Sequence, residues 1–321
     1  MTSGVSTIGL QLVSINCLKK GQTRLSTLNE QLSSGKEYSK LAEYTASEVK
    51  KMLNLSCMIT QKESYISNID TINTRVEVYN SSLTSIEGVA AEAITTIISS
   101  TTYDASKIET LSTEFKGYMS QMEYYLNQSV SGRYIYAGSR YNTVPVKDIS
   151  TLPVPPTELG PCPTTELPAY DVDYGTVDPV VIASAYAKDT VAIDTEQDLQ
   201  YGVTSTQSGF QNIILGLRWA YAATQDATNY KTYMERANSL ITTGMEEVRA
   251  IHAGVAGDAS ALEKTKEQHE GLISNLQSQI DDIQSTDVNE VAVKLTTYQA
   301  TLESAYAATA QMINLSLLHY L

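Results

Sequence analysis

No proline interrupts residues 1 to 144, and Gly88 is the only glycine between Lys36 and Gly117. Proline and glycine are the residues that most readily end a helix. A long stretch without them admits very long helices, provided an apolar stripe runs along it. One does: Ile59, Ile66, Ile69, Ile72, Val76, Tyr79, Leu83, Ile86, Ala90, Ala93, Ile97. The steps are mostly three, four or seven, a near-heptad period that keeps one helix face apolar. The spacing predicts a helix from about Glu43 to Ser100, roughly 85 Å long at 1.5 Å per residue. Such a helix suits a rod better than a compact domain. A second helix is expected from about Ala105 to Ser129 on Ile108, Leu111, Phe115, Met119, Met122 and Leu126.

The C-terminal part repeats the pattern. Helices are expected at about Gln207–Ala223, Asn229–Ile251 and Ser260–Gln284, with Gly254 and Gly257 breaking the chain between the last two. Asp287 reads as the N-cap of a terminal helix. That helix carries Val288, Val291, Leu295, Tyr298, Leu302, Ala305, Thr309 and Met312. The N-terminal segment offers a matching stripe of Ile8, Leu12, Ile15, Leu18, Leu25, Leu28 and Leu32. Neither Met1–Leu18 nor Ser304–Leu321 contains a Lys, Arg, Asp or Glu. A solvent-facing helix normally has a charged outer face. Here that face is Ser, Thr, Asn and Gln, which suits either water or burial in an assembly.

The centre differs. Seven of the eight prolines fall between Pro153 and Pro179, so this stretch cannot be helical. Alternation at Tyr170, Val172 and Tyr174, and again at Val191 and Ile193, predicts short strands. The expected organisation is therefore three-part. Residues 1–42 with 285–321 form a terminal coiled coil. Residues 43–143 with 204–284 form a helical rod. Residues 144–203 form a Pro-rich, β-containing insert.

The net charge of −14 disfavours nucleic acid and anionic membranes as partners. No stretch has the length and apolarity of a transmembrane helix, and no basic region precedes an apolar core at the N-terminus. Membrane insertion and a cleaved secretory signal peptide are not expected. The 21 tyrosines against 2 Phe and 1 Trp suit surfaces half wet and half in contact, or reflect compositional drift. Cys17, Cys57 and Cys162 lie far apart with no C-x-x-C, which suggests neither a zinc site nor a redox motif.

No catalytic, cofactor or metal site is expected. "SSGKE" at Ser33–Glu37 lacks the upstream Gly and the following Ser or Thr of a phosphate loop, and reads as a helix-ending turn. His252, His269 and His319 share no ligand spacing, and His269, between Glu267 and Glu270, reads as part of a solvated helix face. Asp281 and Asp282 point in different directions on a helix and cannot work as an acid–base pair.

Three segments carry a resemblance. "LNEQLSSGKEYS" (Leu28–Ser39) resembles the N-terminal signature of the bacterial flagellin family. "SGRYIYAGSRYNTVPV" (Ser131–Val146) is similar to a Gly-Arg-Tyr-Leu-Phe-x-Gly-Ser segment of the hook-associated protein 3 members, which join hook to filament. "STDVNEVAVKLTTYQATLESAYAATAQMINLSLLHYL" (Ser285–Leu321) is similar to the C-terminus of the same members. Two departures stand out. "YSKLAEYTASEV" (Tyr38–Val49) replaces the acidic Asp-Asp-Pro or Asp-Asp-Ala stretch of many members, and the C-terminus lacks the Gln-Ala-Asn pattern of filament flagellins.

The resemblance implies a mainly α, flagellin-like rod of long antiparallel helices with a terminal coiled coil and a small β-containing insert. It implies a structural, non-enzymatic subunit joining hook to filament, with the filament flagellin as the alternative and a secreted adhesin on the same scaffold as a third reading. Its partners would be copies of itself in a ring or tube, other hook-associated proteins, flagellin, and an export chaperone at the C-terminal helix. It would be extracellular, exported by the flagellar secretion system. Assembly contacts are expected at Ile8, Leu12, Ile15, Leu18, Leu25, Leu28, Leu32, Leu295, Leu302, Met312, Ile313, Leu317, Leu318 and Leu321.

Overall fold

The computed structural model describes residues 3–146, 148–151 and 187–318. The expected strand around Tyr170–Tyr174, together with Cys162 and His319, lies outside them. The described part is mainly α. Its helices are α1 (Ser3–Ser34), α2 (Ala46–Ser99), α3 (Ile108–Leu126), α4 (Ser208–Ala223), α5 (Tyr230–Gln284) and α6 (Val288–Leu318). Two antiparallel hairpins accompany them: β1 (Ser129–Val130) with β2 (Arg133–Tyr134), and β3 (Asp189–Asp194) with β4 (Gln197–Tyr201). The chain divides into two compact units, Met1–Gln61 with Gly271–Leu321, and Lys62–Glu270.

The 55-residue α5 corrects the expected break at Gly254 and Gly257. A helical glycine costs about 1 kcal/mol relative to alanine. That is small against the packing of the flanking stripe, where Val248, Val255 and Leu262 recur every seven residues and are all buried. Both glycines face open space, so nothing there forces the chain to turn.

The same stripe corrects the reading of His269. It continues the heptad from Leu262 and is 1% exposed, while Glu267 and Glu270 on either side face water. Its Nε2 lies 2.8 Å from the carbonyl of Ile193, and the ring stacks on Tyr65. A carbonyl only accepts, so Nε2 carries the hydrogen.

His269 is one of several ties that hold the β3–β4 hairpin on the helices. Lys62 Nζ lies 2.5 Å from Asp194 Oδ1, and Asn68 Nδ2 donates to the carbonyl of Ala192. Arg133 and Arg75 converge on Asp189 at 3.1 and 3.8 Å, and Arg75 also donates to the Tyr201 hydroxyl. The strand expected at Val191 and Ile193 is β3, with Ile193 buried.

The hydrogen bond from Lys62, then that from the Thr195 N–H, holds the Asp194 carboxyl below the usual carboxylate range. A depressed folded-state pKa stabilises above the unfolded value, about 3.9, and that stabilisation is lost as pH falls through the folded value. Asp194→Asn is therefore expected to melt below the wild type at pH 6, with the gap closing as pH drops below about 4. A pH series of thermal melts on both proteins reads this. A gap that is constant across the series contradicts it.

The β1–β2 hairpin has no counterpart in the expected elements. Its turn is Ser131–Gly132, with φ of 52° and 77°. Positive φ at both central residues is the twist-matched two-residue turn, and Ser-Gly supplies it. The hairpin leads into Tyr136, the hub of the larger unit. Tyr136 is fully buried, packs edge-on against Tyr79 and Phe210, and its hydroxyl is 2.6 Å from Ser82 Oγ. Its carbonyl accepts from the Ser205 N–H, and Tyr79 donates to the carbonyl of Ile135. Burial pushes both phenols far above the usual range. These tyrosines are core residues with satisfied hydroxyls rather than half-wet surface groups.

The core of this unit closes around α4, buried along nearly its whole length. Trp219 packs edge-on against Tyr233, with the Arg236 guanidinium over its ring. Glycines bring α4 and α5 together: a Cβ at Gly216 would lie 2.5 Å from Ile241 Cγ1, and one at Gly244 would lie 2.7 Å from the carbonyl of Gly209. Leu111, Phe115, Met119, Met122 and Leu126 of α3 are all buried, as their spacing predicts.

Candidate assembly interface

In the smaller unit α1 and α6 run antiparallel along each other. The pairing starts where both meet a turn. Gly35 ends α1 at φ 67°, its N–H bonded to the carbonyl of Gln31, the helix-ending turn expected for Ser-Gly-Lys. The Glu37 N–H donates to the carbonyl of Gln284 at 2.7 Å, and the Thr286 N–H to that of Gly35 at 2.9 Å. Asp287 then caps α6, its carboxylate accepting from the N–H groups of Asn289 and Glu290. Further along, the Leu302 side chain occupies the space a Cβ at Gly21 would need, and Gln22 Nε2 donates to the Tyr306 hydroxyl at 2.5 Å. Beside the pair, Tyr44, Met52, Leu55, Leu276 and Ile280 form a small separate core.

The expected contact residues divide by position. Leu28 is buried at 1% exposure, and Leu18, Leu25, Leu32, Leu295 and Leu302 are half-buried. Leu12 and Ile15 are both 57% exposed. Ile8, Met312, Ile313, Leu317 and Leu318 lie within helix, and Leu321 lies outside the described residues. Further exposed apolar groups join Leu12 and Ile15: Val13 on α1, and Val288, Val293, Tyr298 and Tyr306 on α6. Val13 and Val293 were missed because they fall off the stripe that pairs α1 with α6. The charge-free run Met1–Leu18 could have drawn attention to Val13, whereas Val293, between Glu290 and Lys294, carried no such signal. Leu41, Tyr44, Val49 and Leu53 line an apolar groove of about 570 Å³ in the same unit.

Near the start of α1 the unit thus presents large apolar side chains, Leu12, Val13 and Ile15, in water within a stretch free of charged side chains. Contiguous apolar exposure of this kind marks an interaction surface more often than a free face. Among the described residues no group of three or more His, Cys, Asp or Glu is placed to hold a metal ion. No described helix is long and apolar enough to cross a membrane. Cys17 and Cys57 are free and exposed.

No family model and no curated protein matches the chain. Solved structures do. A structure from Vibrio parahaemolyticus, described as a flagellar hook-associated protein, aligns at a TM-score of 0.60 with 15% identity, covering 76% of this chain and 100% of the other. FlgL from Bacillus cereus aligns at 0.49 with 11% identity, covering 72% and 100%. The chain therefore has the mainly α fold of that hook-associated protein.

Proposed function

We propose that this chain is a structural, non-enzymatic subunit of the bacterial flagellum that joins hook to filament. The observation that carries the reading is the exposure of Leu12, Val13 and Ile15 on α1 and of Tyr306 on α6, within the two stretches, Met1–Leu18 and Ser304–Leu321, that contain no charged side chain. The shared fold with a flagellar hook-associated protein supports it. In this reading neighbouring copies, hook-associated proteins or flagellin cover those side chains in a ring or tube. Of the contact residues named from the sequence, Leu18, Leu25, Leu28, Leu32, Leu295 and Leu302 then serve the α1–α6 pairing, and Leu12 and Ile15 face a neighbour. The subunit works outside the cell and reaches its place through the flagellar export route, with a chaperone guarding α6 beforehand.

Gold-labelled antibody on isolated flagella tests this. A single band at the hook–filament boundary is expected. Label along the whole filament would make the chain a filament flagellin, and absence of label from flagella would overturn the reading.

A further inference from the structure

The exposed surface along α1 and the turn that follows it is electrically divided, and it lies beside the apolar surface just described. Asn16, Lys19, Lys20, Thr23, Arg24 and Thr27 line one shallow depression with three cations and no carboxylate. Thr27 also lines the next depression, which holds Glu30, Glu37 and Glu43 against one cation, Lys36. All six of the principal charged residues are exposed. Among the described residues none of the six forms an ion pair. In a chain of net charge −14, three cations grouped without acidic neighbours are conspicuous.

We propose that the occupant of this face is a second copy of the chain, lying parallel and displaced along α1, with Lys19, Lys20 and Arg24 of one copy set against Glu30, Glu37 and Glu43 of the next. This rests on the assembly reading above and supplies its register. Arg24, Lys20 and Lys19 precede Glu30 by six, ten and eleven residues, so the displacement along α1 is about 9–17 Å at 1.5 Å per residue. The contact is heterologous. Each copy offers its basic end to one neighbour and its acidic end to another, so the arrangement propagates into a ring or helical tube. Apolar burial does not select one displacement over another, because it is non-directional. Charge does, since a wrong register sets like charges together and is rejected. The charges begin at Lys19, directly after the uncharged stretch, and run toward the turn that follows α1, where they can stay partly hydrated at the rim.

The test uses the full-length purified chain, an equal mixture of unlabelled and 15N-labelled protein, concentrated at low salt. A carbodiimide joins a carboxylate and a lysine amine in direct contact. Mass spectrometry should find mixed-isotope peptides linking Lys19 or Lys20 to Glu30, Glu37 or Glu43, at least tenfold fewer in 0.5 M NaCl. In sedimentation velocity the triple variant Lys19→Glu/Lys20→Glu/Arg24→Glu should lose association beyond the monomer. So should Glu30→Lys/Glu37→Lys/Glu43→Lys, and an equal mixture of the two should regain it. Circular dichroism of each variant confirms that the helices remain. Absence of mixed-isotope links, association unchanged by the reversals, or association that stops at a closed dimer would each overturn the proposal. Gold label at the junction without these links would sink the docking register alone. Links without label on flagella would sink the flagellar reading alone.

Discussion

Leu12→Asp is expected to abolish assembly into flagella, and Ile15→Asp to weaken it, while each leaves the purified chain folded. Both side chains are 57% exposed in the isolated subunit, so an aspartate there meets water and costs only a few tenths of a kcal/mol in helix propensity. Once a neighbour covers the position, the carboxylate replacing Leu12 is buried with no side-chain cation within a turn of its own helix, whereas the one replacing Ile15 has Lys19 at i+4 to offset part of the cost. An uncompensated charge in an interface costs several kcal/mol, or more than a hundredfold in each subunit contact. Leu28→Asp makes the contrast. Leu28 is already buried within the subunit, so that change should lower folding stability as well. Swimming and filament retention in a strain lacking its own copy, read beside circular dichroism of the purified variants, separate the two. Normal swimming with Leu12→Asp would place this face outside the assembly.

The second large effect belongs to the other unit. Gly244→Ala should lower its stability by about 3 kcal/mol. The new Cβ would lie 2.7 Å from the Gly209 carbonyl oxygen, 2.8 Å from Ile213 Cγ1 and 2.9 Å from the Ile213 nitrogen. Two of these are backbone atoms of a helix buried on all sides, so they cannot swing away. The gain of about 1 kcal/mol in helix propensity is too small to offset the clash. A drop in Tm of about 6–12 °C follows for a unit of this size. Gly254→Ala on the same helix has nothing within 4 Å of its Cβ, and should instead raise stability by up to about 1 kcal/mol. Thermal melts of the pair therefore shift in opposite directions. If both destabilise, or neither does, the close α4–α5 approach is not what fixes Gly244.

What could be read in the sequence follows from how local each signal is. The stripes of α2 and α3 and the turn at Gly35 are periodic or depend on a few neighbouring residues, and they stand in the structure as their spacing says, while on α6 Val291 is buried but Val288 and Tyr298 of the same stripe are exposed. Asp287 caps α6 for the same reason. The break at Gly254 was a local signal overridden by packing: two weak helix formers cannot end a helix whose stripe continues on both sides. His269 was misread because its charged neighbours were weighed above its heptad register with Val255 and Leu262. The burial of Tyr136 was hidden for a different reason. It depends on Tyr79 and Phe210, distant in the chain, and no local pattern announces their meeting. In the candidate interface the uncharged ends were visible at once. Which of the apolar residues on α1 and α6 remain uncovered, Val13 and Val293 among them, depends on how α1 lies on α6.

The central claim is that α1 is covered by neighbouring subunits in the flagellum. Cys17 reports on it directly, being a native thiol that is free and exposed on that helix. Its alkylation rate by iodoacetamide should be measured in the purified subunit and in intact isolated flagella, with the modified peptide quantified by mass spectrometry. Rapid alkylation in the subunit and at least tenfold slower alkylation in flagella is the expected result. Equal rates in the two would mean that α1 stays open to solvent in the assembled structure, and would contradict the account.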